Sequence, residues 1–367
     1  MKIVFLTHNL GHDNGGGVFS RRIIEGANVE MPADVVALTS VSSNLAHEKA
    51  ILAPGNMLSL KTVRKVRAEI RDADVVHAID AYPYGLMAAV ASIGLRKKII
   101  ITAVGSGSIL PLYKVILAPF VRWAYRRADT LTAISGFTRD EVLKKAPGIA
   151  MKIITPGIDF EDYQKKAVVP EYVVHYKPYV LSVGSLRWRK GYKYSIVAFA
   201  EVHKVFPEMH YVIVGKKYTD ATYAQIEEKI KEHNLEKYVH VLDNIDDIEK
   251  LRGIYKEAEL FWLMSQNKNH DVEGFGIVFL EAAAHGLPVI GAEKCGVVDA
   301  VDKDKNGFLA DSRDPKAFAQ AAIRILENKV LRQKMSQHST EWAKQHDWKF
   351  KMPFYIEIYR SLTVDKK

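Results

Sequence analysis

Two glutamates stand eight residues apart around a glycine-rich entry to a predicted helix, in the segment Glu273-Gly-Phe-Gly-Ile-Val-Phe-Leu-Glu281. Gly274 and Gly276 let the backbone come close to a ligand, and the N–H groups of the following helix can face a phosphate or a sugar hydroxyl. A carboxylate accepts hydrogen bonds from a pair of hydroxyls, so one glutamate can hold a sugar and the other a ribose. The spacing therefore favours a site for a sugar attached to a nucleotide. A buried, capped helix flanked by two solvated glutamates is the structural alternative.

A basic turn, Val183-Gly-Ser-Leu-Arg-Trp-Arg-Lys-Gly191, lies between a predicted strand and a predicted helix. When a sugar leaves a nucleotide, the diphosphate gains negative charge, and a fixed cation beside it lowers the barrier. Lys190 is the first candidate for that cation, and Arg187 or Arg189 can assist. The alternative is a set of exposed bases in a turn, of little energetic value.

Three consecutive glycines, Gly15 to Gly17, follow the first predicted strand and precede a predicted helix at Phe19 to Ala27. Such a loop offers several backbone N–H groups to an anion. The spacing is not G-x-G-x-x-G and no acidic residue ends the second strand, which argues against a dinucleotide site and an NAD-dependent oxidoreductase. The glycines can also be a flexible turn, or a loop that closes over substrate.

Short β-branched runs alternate with longer amphipathic segments along most of the chain, which predicts an α/β fold with parallel strands and crossover helices. Helical spacing is expected at Ser59 to Arg71, among others. One set of strands is predicted at Lys2 to Thr7, Val35 to Leu38, Val75 to Ala78, Lys98 to Thr102, Thr130 to Ala133 and Lys152 to Thr155. A second set is predicted at Tyr179 to Val183, His210 to Val214, Val239 to Leu242, Leu260 to Leu263 and Pro288 to Gly291.

The chain has 367 residues, 48% of them hydrophobic, which is enough for two cores. The segment Pro156 to Pro178 lacks a long periodic run and is interpreted as an interdomain connection. We therefore predict one domain at 1–168 and another at 169–347. An amphipathic segment from about Trp348 to Leu362 is expected to cross back, so that 348–367 joins the first domain.

Composition limits the compartment and the partners. The single cysteine, Cys295, excludes an internal disulfide framework and fits a reducing cytoplasm. The N-terminus is interpreted as a first strand rather than a signal peptide, and no apolar run reaches membrane-spanning length, so a soluble or peripheral protein is expected. No nucleic-acid-binding motif accompanies the basic charge.

The net charge of +9 falls mostly in the first 170 residues, which hold 22 basic and 15 acidic side chains. Part of the excess lies in two stretches with helical spacing, Lys61 to Arg71 and Tyr113 to Arg127. The first is interpreted as a solvated helix. The second mixes Phe120, Trp123 and Tyr125 with Arg122, Arg126 and Arg127, which suits either a solvated helix or the surface of an anionic bilayer.

Several motifs in one shared order make the chain similar to the retaining glycosyltransferases of family 4, which have the GT-B fold. Besides the two segments above, they are Val212-Ile-Val-Gly215, Ile154-Thr-Pro-Gly-Ile-Asp159, Thr132-Ala-Ile-Ser135, Ala284-His-Gly-Leu-Pro-Val-Ile290 and Asn306-Gly-Phe-Leu309. The resemblance covers nearly the whole chain. It implies two facing Rossmann-like domains, with the acceptor mostly on the first and the nucleotide sugar on the second.

The resemblance also implies roles for individual residues. Glu281 would hold the ribose hydroxyls, Glu273 would face the donor sugar, and Lys190 would bind the diphosphate. The remaining donor contacts would come from Gly16, Gly17, Ser185, Arg187, Arg189, Gly215, Ile245, Gly274, Phe275, Gly276 and Ile277.

The chain departs from the family pattern at three positions. Ser185 stands where arginine is common, so Arg187 or Arg189 would supply the charge. Ile79 and Val104 replace common histidines, which leaves the acceptor base open. Asp80, after its strand, is the candidate base; His77 is interpreted as a packed strand residue, and His270 can either reach the donor or serve no function.

The expected reaction is transfer of a hexose from a UDP- or GDP-linked sugar to an acceptor hydroxyl with retention, in cell-surface glycan or glycolipid synthesis. The resemblance favours attack from the same face as the leaving phosphate, although a covalent route through a carboxylate is the alternative. Neither a resident cofactor nor a metal is expected, since Asp72-Ala-Asp74 and Asp302-Lys-Asp304 are interpreted as structural. A lipid-linked acceptor and peripheral attachment to the inner face of the cell membrane are hypotheses from the basic first half. An epimerase or phosphorylase of the same fold, or a silent binding subunit, remains an alternative.

Overall fold

The computed structural model describes residues 1–12, 14–31, 33–52, 55 and 57–363. It divides into two compact units. Unit 1 comprises Met1–Pro156, Asn269–Gly274 and Trp348–Lys367, and unit 2 comprises Gly157–Lys268 and Phe275–Asp347. The chain thus leaves unit 1 at Pro156, before the boundary expected at residue 168, and a six-residue segment after β11 of unit 2 packs with unit 1.

Unit 1 contains a parallel sheet of seven described strands in the order β3-β2-β1-β4-β5-β6-β7. The strands are β1 (Lys2–Thr7), β2 (Asp34–Thr39), β3 (Glu48–Lys49), β4 (Val75–Ile79), β5 (Lys98–Ala103), β6 (Thr130–Ala133) and β7 (Lys152–Ile153). The central strand β4 is buried along its whole length, as expected for a parallel sheet covered on both faces. The sequence analysis missed β3 and made β7 two residues too long.

The helices of unit 1 cover this sheet. They are α1 (Gly15–Glu30), α2 (Leu60–Ile70), α3 (Leu86–Ala91), α4 (Ser106–Ile109), α5 (Ala118–Arg127), α6 (Gly136–Lys145) and, from the end of the chain, α15 (Trp348–Ser361). α15 packs on α1, where Gly26 leaves room for Met352: a Cβ on this glycine would lie 2.6 Å from the Met352 methyl carbon. In unit 1, α15 therefore occupies the place expected for a helix that returns to the first domain.

Two helix predictions for unit 1 need correction. The three glycines are the first turn of α1 and not a loop before it, because the Asn14 side chain caps the helix by accepting from the Gly17 N–H at 2.7 Å. The basic stretch Tyr113 to Arg127 is not one helix: a turn at 114–117 interrupts it, and α5 begins only at Ala118.

Unit 2 contains a second parallel sheet, whose six described strands follow the order β10-β9-β8-β11-β12-β13. They are β8 (Tyr179–Val183), β9 (His210–Val214), β10 (Val239–Leu242), β11 (Leu260–Leu263), β12 (Val289–Ala292) and β13 (Gly307–Ala310). The predictions for β8 to β11 agree with these bounds. β12 begins one residue later than predicted, and β13 was missed.

The helices of unit 2 lie before, between and after its strands. They are α7 (Phe160–Tyr163), α8 (Glu171–Val174), α9 (Tyr192–Val205), α10 (Asp220–Glu232), α11 (Ile248–Lys256), α12 (Val278–Ala284), α13 (Pro315–Glu327) and α14 (Lys329–Gln345). The predicted interdomain connection thus contains two short helices, α7 and α8. Among the described residues of both units, no helix is long and apolar enough to cross a bilayer.

Candidate functional site

Each sheet has one point where the strand order reverses, between β1 and β4 in unit 1 and between β8 and β11 in unit 2. Ligands of open parallel sheets bind beyond the carboxyl ends of the strands at such a point. Asp80 directly follows β4, and the basic turn from Gly184 to Gly191 directly follows β8. Both predicted segments therefore lie where their own sheet is best placed to bind a ligand.

The basic turn of unit 2 is held by close backbone contacts. Gly191 has a φ of 71° and lies so near the end of β11 that a Cβ would be 2.0 Å from the carbonyl oxygen of Met264, the residue after this strand. The Tyr192 hydroxyl donates to the Gly184 carbonyl at 2.5 Å. The Lys190 side chain lies along Gly184, with Cε 3.3 Å from where a Cβ would be. The turn therefore gives Lys190 a fixed position.

The two arginines of the turn have different surroundings. The Arg187 guanidinium stacks over the Tyr218 ring at 3.8 Å, a cation–π contact on a partly exposed surface. The Arg189 carbonyl accepts from the Gln266 N–H at 2.7 Å and ties the turn to the segment after β11. Ser185, where the family often has arginine, is partly exposed. Arg187 thus provides a second positive charge in the basic turn, besides Lys190.

Gly215 and Ile245 lie beyond the ends of the neighbouring strands β9 and β10. A Cβ on Gly215 would lie 1.8 Å from the Gly184 carbonyl oxygen, so only glycine lets β8 and β9 end this close together. Ile245 lies in the loop after β10 and is partly exposed. The two residues therefore border the same carboxyl edge as the basic turn.

Glu281 lies in the first turn of α12. The Tyr255 hydroxyl donates to its carboxylate at 2.9 Å. Burial raises the pKa of Glu281, and the hydrogen bonds from Tyr255 and Tyr163 and the positive charge of Lys190 oppose that rise. Glu281 and Lys190 therefore lie within electrostatic range of each other at this edge.

The entry to α12 is tightly packed. Phe275 is buried. Gly276 has a φ of 82°, and a Cβ there would lie 3.0 Å from the Phe279 ring, so both conformation and space require glycine. Ile277 is partly exposed and immediately precedes the helix. The backbone of this entry is the part that can approach a ligand.

Glu273 belongs to unit 1, because two serines fix its neighbours there. The Ser106 hydroxyl accepts from the Val272 N–H at 2.9 Å and donates to the Asp271 carboxylate at 2.5 Å. The Ser135 hydroxyl, which is buried, donates to the Gly274 carbonyl at 2.7 Å. Serines that follow β5 and β6 therefore hold the backbone on both sides of Glu273, which is itself buried.

Gly274 fits this place because it has no side chain. A Cβ there would lie 2.1 Å from the carbonyl oxygen of Val104, at the end of β5. The structure thus divides the glutamate motif between the units: Glu273 and Gly274 pack with unit 1, and the residues from Phe275 to Glu281 pack with unit 2.

Asp80 has a backbone conformation that is rare for a residue with a side chain, with a φ of 87°. Its carboxylate accepts from the Ala81 N–H at 3.0 Å and from the Ser108 hydroxyl. A Cβ on Gly107 would lie 2.1 Å from the carboxylate. Burial raises the pKa of Asp80 from 3.8 to about 7, which the hydrogen bonds only partly oppose. Near neutral pH this group can therefore either accept or donate a proton.

Gly16 and Gly17 differ in their surroundings. Gly16 is exposed, and the nearest atom to a Cβ there would be the Asn14 side-chain oxygen at 3.6 Å. Gly17 is buried, its N–H donates to Asn14, and a Cβ would lie 2.3 Å from the Asn9 side-chain oxygen. Gly16 is thus open to an approaching ligand, whereas Gly17 is needed for packing.

The other polar candidates have structural partners. His77 is buried between the Tyr359 and Thr102 hydroxyls, at 2.8 and 2.7 Å, and burial lowers its pKa to about 3, so it is a packed strand residue as predicted. His270 stacks on the Tyr113 ring with centroids 3.3 Å apart. In the two D-x-D matches, Asp74 accepts from the Lys2 N–H at 2.9 Å and Asp302 pairs with His338 at 2.8 Å.

Several contacts of the candidate residues were not expected from the sequence. Ser135 had a usable signal, since a serine between a strand and a helix is a typical N-cap, and it does cap α6. Ser106, Ser108 and Tyr255 carried no such signal. Their roles depend on neighbours from distant parts of the chain.

Comparison with known proteins identifies the family. The glycosyl transferases group 1 model matches residues 168–342 and the glycosyltransferase family 4 model matches residues 34–162, which together span most of the chain. A GDP-mannose-dependent alpha-(1-6)-phosphatidylinositol monomannoside mannosyltransferase of Mycobacterium tuberculosis is 24% identical over 316 residues, covering 81% of this chain and 77% of that protein. A D-inositol 3-phosphate glycosyltransferase of Corynebacterium efficiens is 29% identical over 233 residues, or 61% of this chain and 52% of that protein.

Solved structures agree on the architecture. The crystal structure of Anabaena HepE in complex with UDP superposes with a TM-score of 0.78 at 20% identity, over 98% of this chain and all of that one. A structural likeness at 20% sequence identity shows a shared fold only. The family matches show that the chain belongs to glycosyltransferase family 4, and the two parallel sheets and the likeness to HepE show that it has the GT-B fold.

Proposed function

We propose that this glycosyltransferase moves a hexose from a UDP- or GDP-linked sugar to an acceptor hydroxyl, in cell-surface glycan or glycolipid synthesis. The observation that carries the proposal is that Lys190 and Glu281 lie within electrostatic range of each other at the carboxyl edge of unit 2, where a cation and a buried carboxylate match a diphosphate and a ribose. The names of the relatives, which cite a GDP-mannose-dependent enzyme and a UDP complex, support a nucleotide-sugar donor.

The remaining donor residues follow the family pattern. In the proposal, Glu273 faces the transferred sugar, and Arg187 or Arg189 adds charge near the diphosphate in place of arginine at Ser185. The backbone of Phe275, Gly276 and Ile277 contacts sugar hydroxyls and phosphate. Further donor contacts come from Gly16, Gly17, Gly215, Ile245 and Gly274.

The proposed reaction retains the anomeric configuration. Attack from the face of the leaving phosphate needs no enzyme nucleophile, and Glu273 then stabilises positive charge that develops on the sugar ring. We also propose that the reaction is independent of metal, because Lys190 and Arg187 can neutralise the leaving diphosphate. An NMR measurement of the product's anomeric coupling tests retention: inversion would contradict the proposal.

Thermal unfolding with UDP, GDP, ADP and dTDP, each with EDTA and with magnesium, tests the donor site. A ligand at about 100 times its dissociation constant adds roughly 2.7 kcal/mol to the free energy of unfolding. We expect one nucleotide to raise the Tm strongly and to do so equally in EDTA. Stabilisation by none of them would contradict the nucleotide-sugar proposal, and stabilisation only with magnesium would contradict metal independence.

In the proposal, Asp80 is the base that accepts the proton of the acceptor hydroxyl, and this role predicts a pH dependence. If Asp80 accepts the proton of the acceptor hydroxyl, kcat/KM should rise as the pH passes through about 7, because the carboxyl must first ionise. The Asp80→Asn variant should lose this rise and most of its activity. Asp34→Asn, an exposed aspartate at the start of β2, is the control. A variant that kept the wild-type pH profile would exclude Asp80 as the base.

The same shift has a consequence for stability. Because the folded-state pKa is raised above 3.8, folding favours the protonated form, and this contribution is fully present below about pH 4 and lost as the pH rises to about 7. Urea unfolding should therefore show a fall in wild-type stability over this window relative to Asp80→Asn. This readout separates burial of the carboxyl from catalysis.

Ser135 is expected to position Glu273. In Ser135→Ala the buried Gly274 carbonyl keeps only the longer hydrogen bond from the Thr138 hydroxyl at 3.4 Å, and loss of the shorter bond costs about 1 kcal/mol and loosens the segment. We expect kcat to fall about tenfold with little change in the KM for the donor, and Ser135→Thr to restore part of it. Ser339→Ala is the matched control, since Ser339 makes the same kind of buried bond to the Leu287 carbonyl at 2.7 Å elsewhere. Equal losses in both variants would indicate a structural role alone.

A further inference from the structure

Unit 1 exposes an apolar surface along one turn and one helix. The 114–126 surface, as we name it, contains Val115 and Ile116 in the turn before α5, and Phe120 and Trp123 on α5. These side chains are 90%, 79%, 56% and 39% exposed. All four lie within nine consecutive positions of the chain. Exposed large apolar side chains concentrated in this way mark interaction sites in soluble proteins.

The patch is not a consequence of a poorly packed helix. The opposite side of α5 is buried, with Val121, Ala124 and Tyr125 all at most 1% exposed. The Tyr125 hydroxyl also donates to the Ser108 carbonyl at 3.1 Å. α5 is thus fixed on unit 1 through one face, and Phe120 and Trp123 lie on the other.

Three cations accompany the apolar side chains. Lys114, Arg122 and Arg126 lie in the same turn and helix, and none of them forms an ion pair within the described residues. The acidic side chain nearest in sequence, Asp129, is already paired with Lys98 at 3.3 Å and Arg127 at 3.9 Å. The 114–126 surface therefore carries three positive charges that form no ion pair with a described acidic side chain.

This combination selects one class of partner. A protein partner would bury the cations and would need matching acids, whereas an anionic bilayer offers a plane of negative headgroups above an apolar layer. Lysine and arginine can keep their charges among the headgroups while valine, isoleucine, phenylalanine and tryptophan enter the acyl boundary. The mixture of side chains and its lack of acids fit that layered partner.

We propose that the 114–126 surface docks the protein on an anionic lipid bilayer. The proposal gives the place and the chemistry of the membrane contact that the acceptor hypothesis requires. It rests on unit 1 alone and does not depend on glycosyl transfer.

Sedimentation with vesicles tests the proposal. The wild-type protein should pellet with phosphatidylglycerol-containing vesicles at low salt and much less with phosphatidylcholine alone. The double variant Phe120→Ser with Trp123→Ser should bind at least about tenfold more weakly, because two large apolar side chains no longer leave water. Arg122→Gln with Arg126→Gln should also weaken binding, and its remaining binding should depend less on salt.

Matched controls lie elsewhere in unit 1. Phe350→Ser with Phe354→Ser changes two phenylalanines of α15 that are 52% and 54% exposed, and Lys61→Gln with Lys65→Gln removes two exposed cations from α2. Both controls should bind vesicles like the wild type. Nucleotide-induced thermal stabilisation should be unchanged in the Phe120 and Trp123 variant, which separates docking from the donor site.

Two results would overturn the proposal. The first is a wild-type protein that stays in the supernatant with anionic vesicles at low salt, and the second is a Phe120 and Trp123 variant that pellets as well as the wild type. Sedimentation velocity distinguishes another partner: a wild-type dimer that this variant converts to a monomer, without vesicle binding, would make the surface an interface between two copies.

Discussion

The Lys190→Ala variant is expected to lose about 10²- to 10³-fold in kcat, the loss typical when one preorganised group that stabilises developing charge is removed. The Lys190 side chain lies against Gly184 in the turn after β8, which places its charge before the reaction begins. The measurement is initial-rate kinetics with the donor identified by the nucleotide panel. The KM for the donor should change much less than kcat, because the charge on the diphosphate grows as the bond to the sugar breaks.

Lys193→Ala is the matched control for this experiment. Lys193 is an exposed lysine in the first turn of α9, over the Tyr194 ring and outside the proposed site. It changes the net charge by the same amount. If both variants lost activity equally, the effect would come from overall charge rather than from the diphosphate contact, and the proposed role of Lys190 would be wrong.

Removing Lys190 should also be visible at Glu281. The lysine charge lowers the pKa of this carboxyl, against the larger effect of burial, so Lys190→Ala should raise the pKa of Glu281 further. A carboxyl that takes up a proton accepts one hydrogen bond fewer from a ribose. Stabilisation by the free nucleoside should therefore weaken in Lys190→Ala, and more so at low pH.

The Gly274→Ala variant is expected to lose most activity, because an alanine methyl would lie 2.1 Å from the Val104 carbonyl oxygen and must push the segment away. Overpacking of this kind costs about 1–3 kcal/mol of stability. The displacement also moves Glu273, the neighbouring residue, out of the position that Ser106 and Ser135 give it. At saturating donor, kcat is expected to fall about 100-fold, since a displacement of about 1 Å is enough for a rate loss of this size.

Gly148→Ala controls for the general cost of replacing a glycine. Gly148 has a φ of 80°, so alanine is strained there, yet no atom lies within 4 Å of its Cβ position. This variant should lose stability in urea unfolding and keep its kcat. If Gly274→Ala lost stability but kept full activity, Glu273 would not need its present position for transfer.

Much of the fold was predictable because buried parallel strands leave a local signal. β6 and β8 to β11 have the predicted bounds, since each is a short run rich in apolar or β-branched residues between polar turns. β3 has only two residues and β13 begins with glycine, so neither shows a hydrophobic run. α1 begins earlier than predicted because Asn14 caps a first turn made of glycines. Glycine has a low helix propensity, but the close approach of Gly17 to the Asn9 side chain leaves no room for a larger residue.

The residues of the candidate site could be proposed from the sequence, but their arrangement could not. Glycines and charges at fixed spacing pointed to the basic turn and the glutamate motif. The division of that motif between two units depends on Ser106 and Ser135, which lie far away in sequence. The raised pKa of Asp80 likewise follows from burial around Ser108 and Gly107, which no local pattern encodes.

The return of α15 to unit 1 sets the order in which the protein can mature on the ribosome. The hydroxyl of Tyr359 bonds to the ring of His77, and these partners are separated by 282 positions along the chain. Between Pro156 and Trp348 the ribosome adds about 190 residues, which takes roughly 10–40 s at typical rates of synthesis. Throughout that interval the sheet of unit 1 lacks one of its covering helices, while most of unit 2 emerges. Of the two units, unit 1 is thus the first whose strands are synthesised and the last to receive all of its helices.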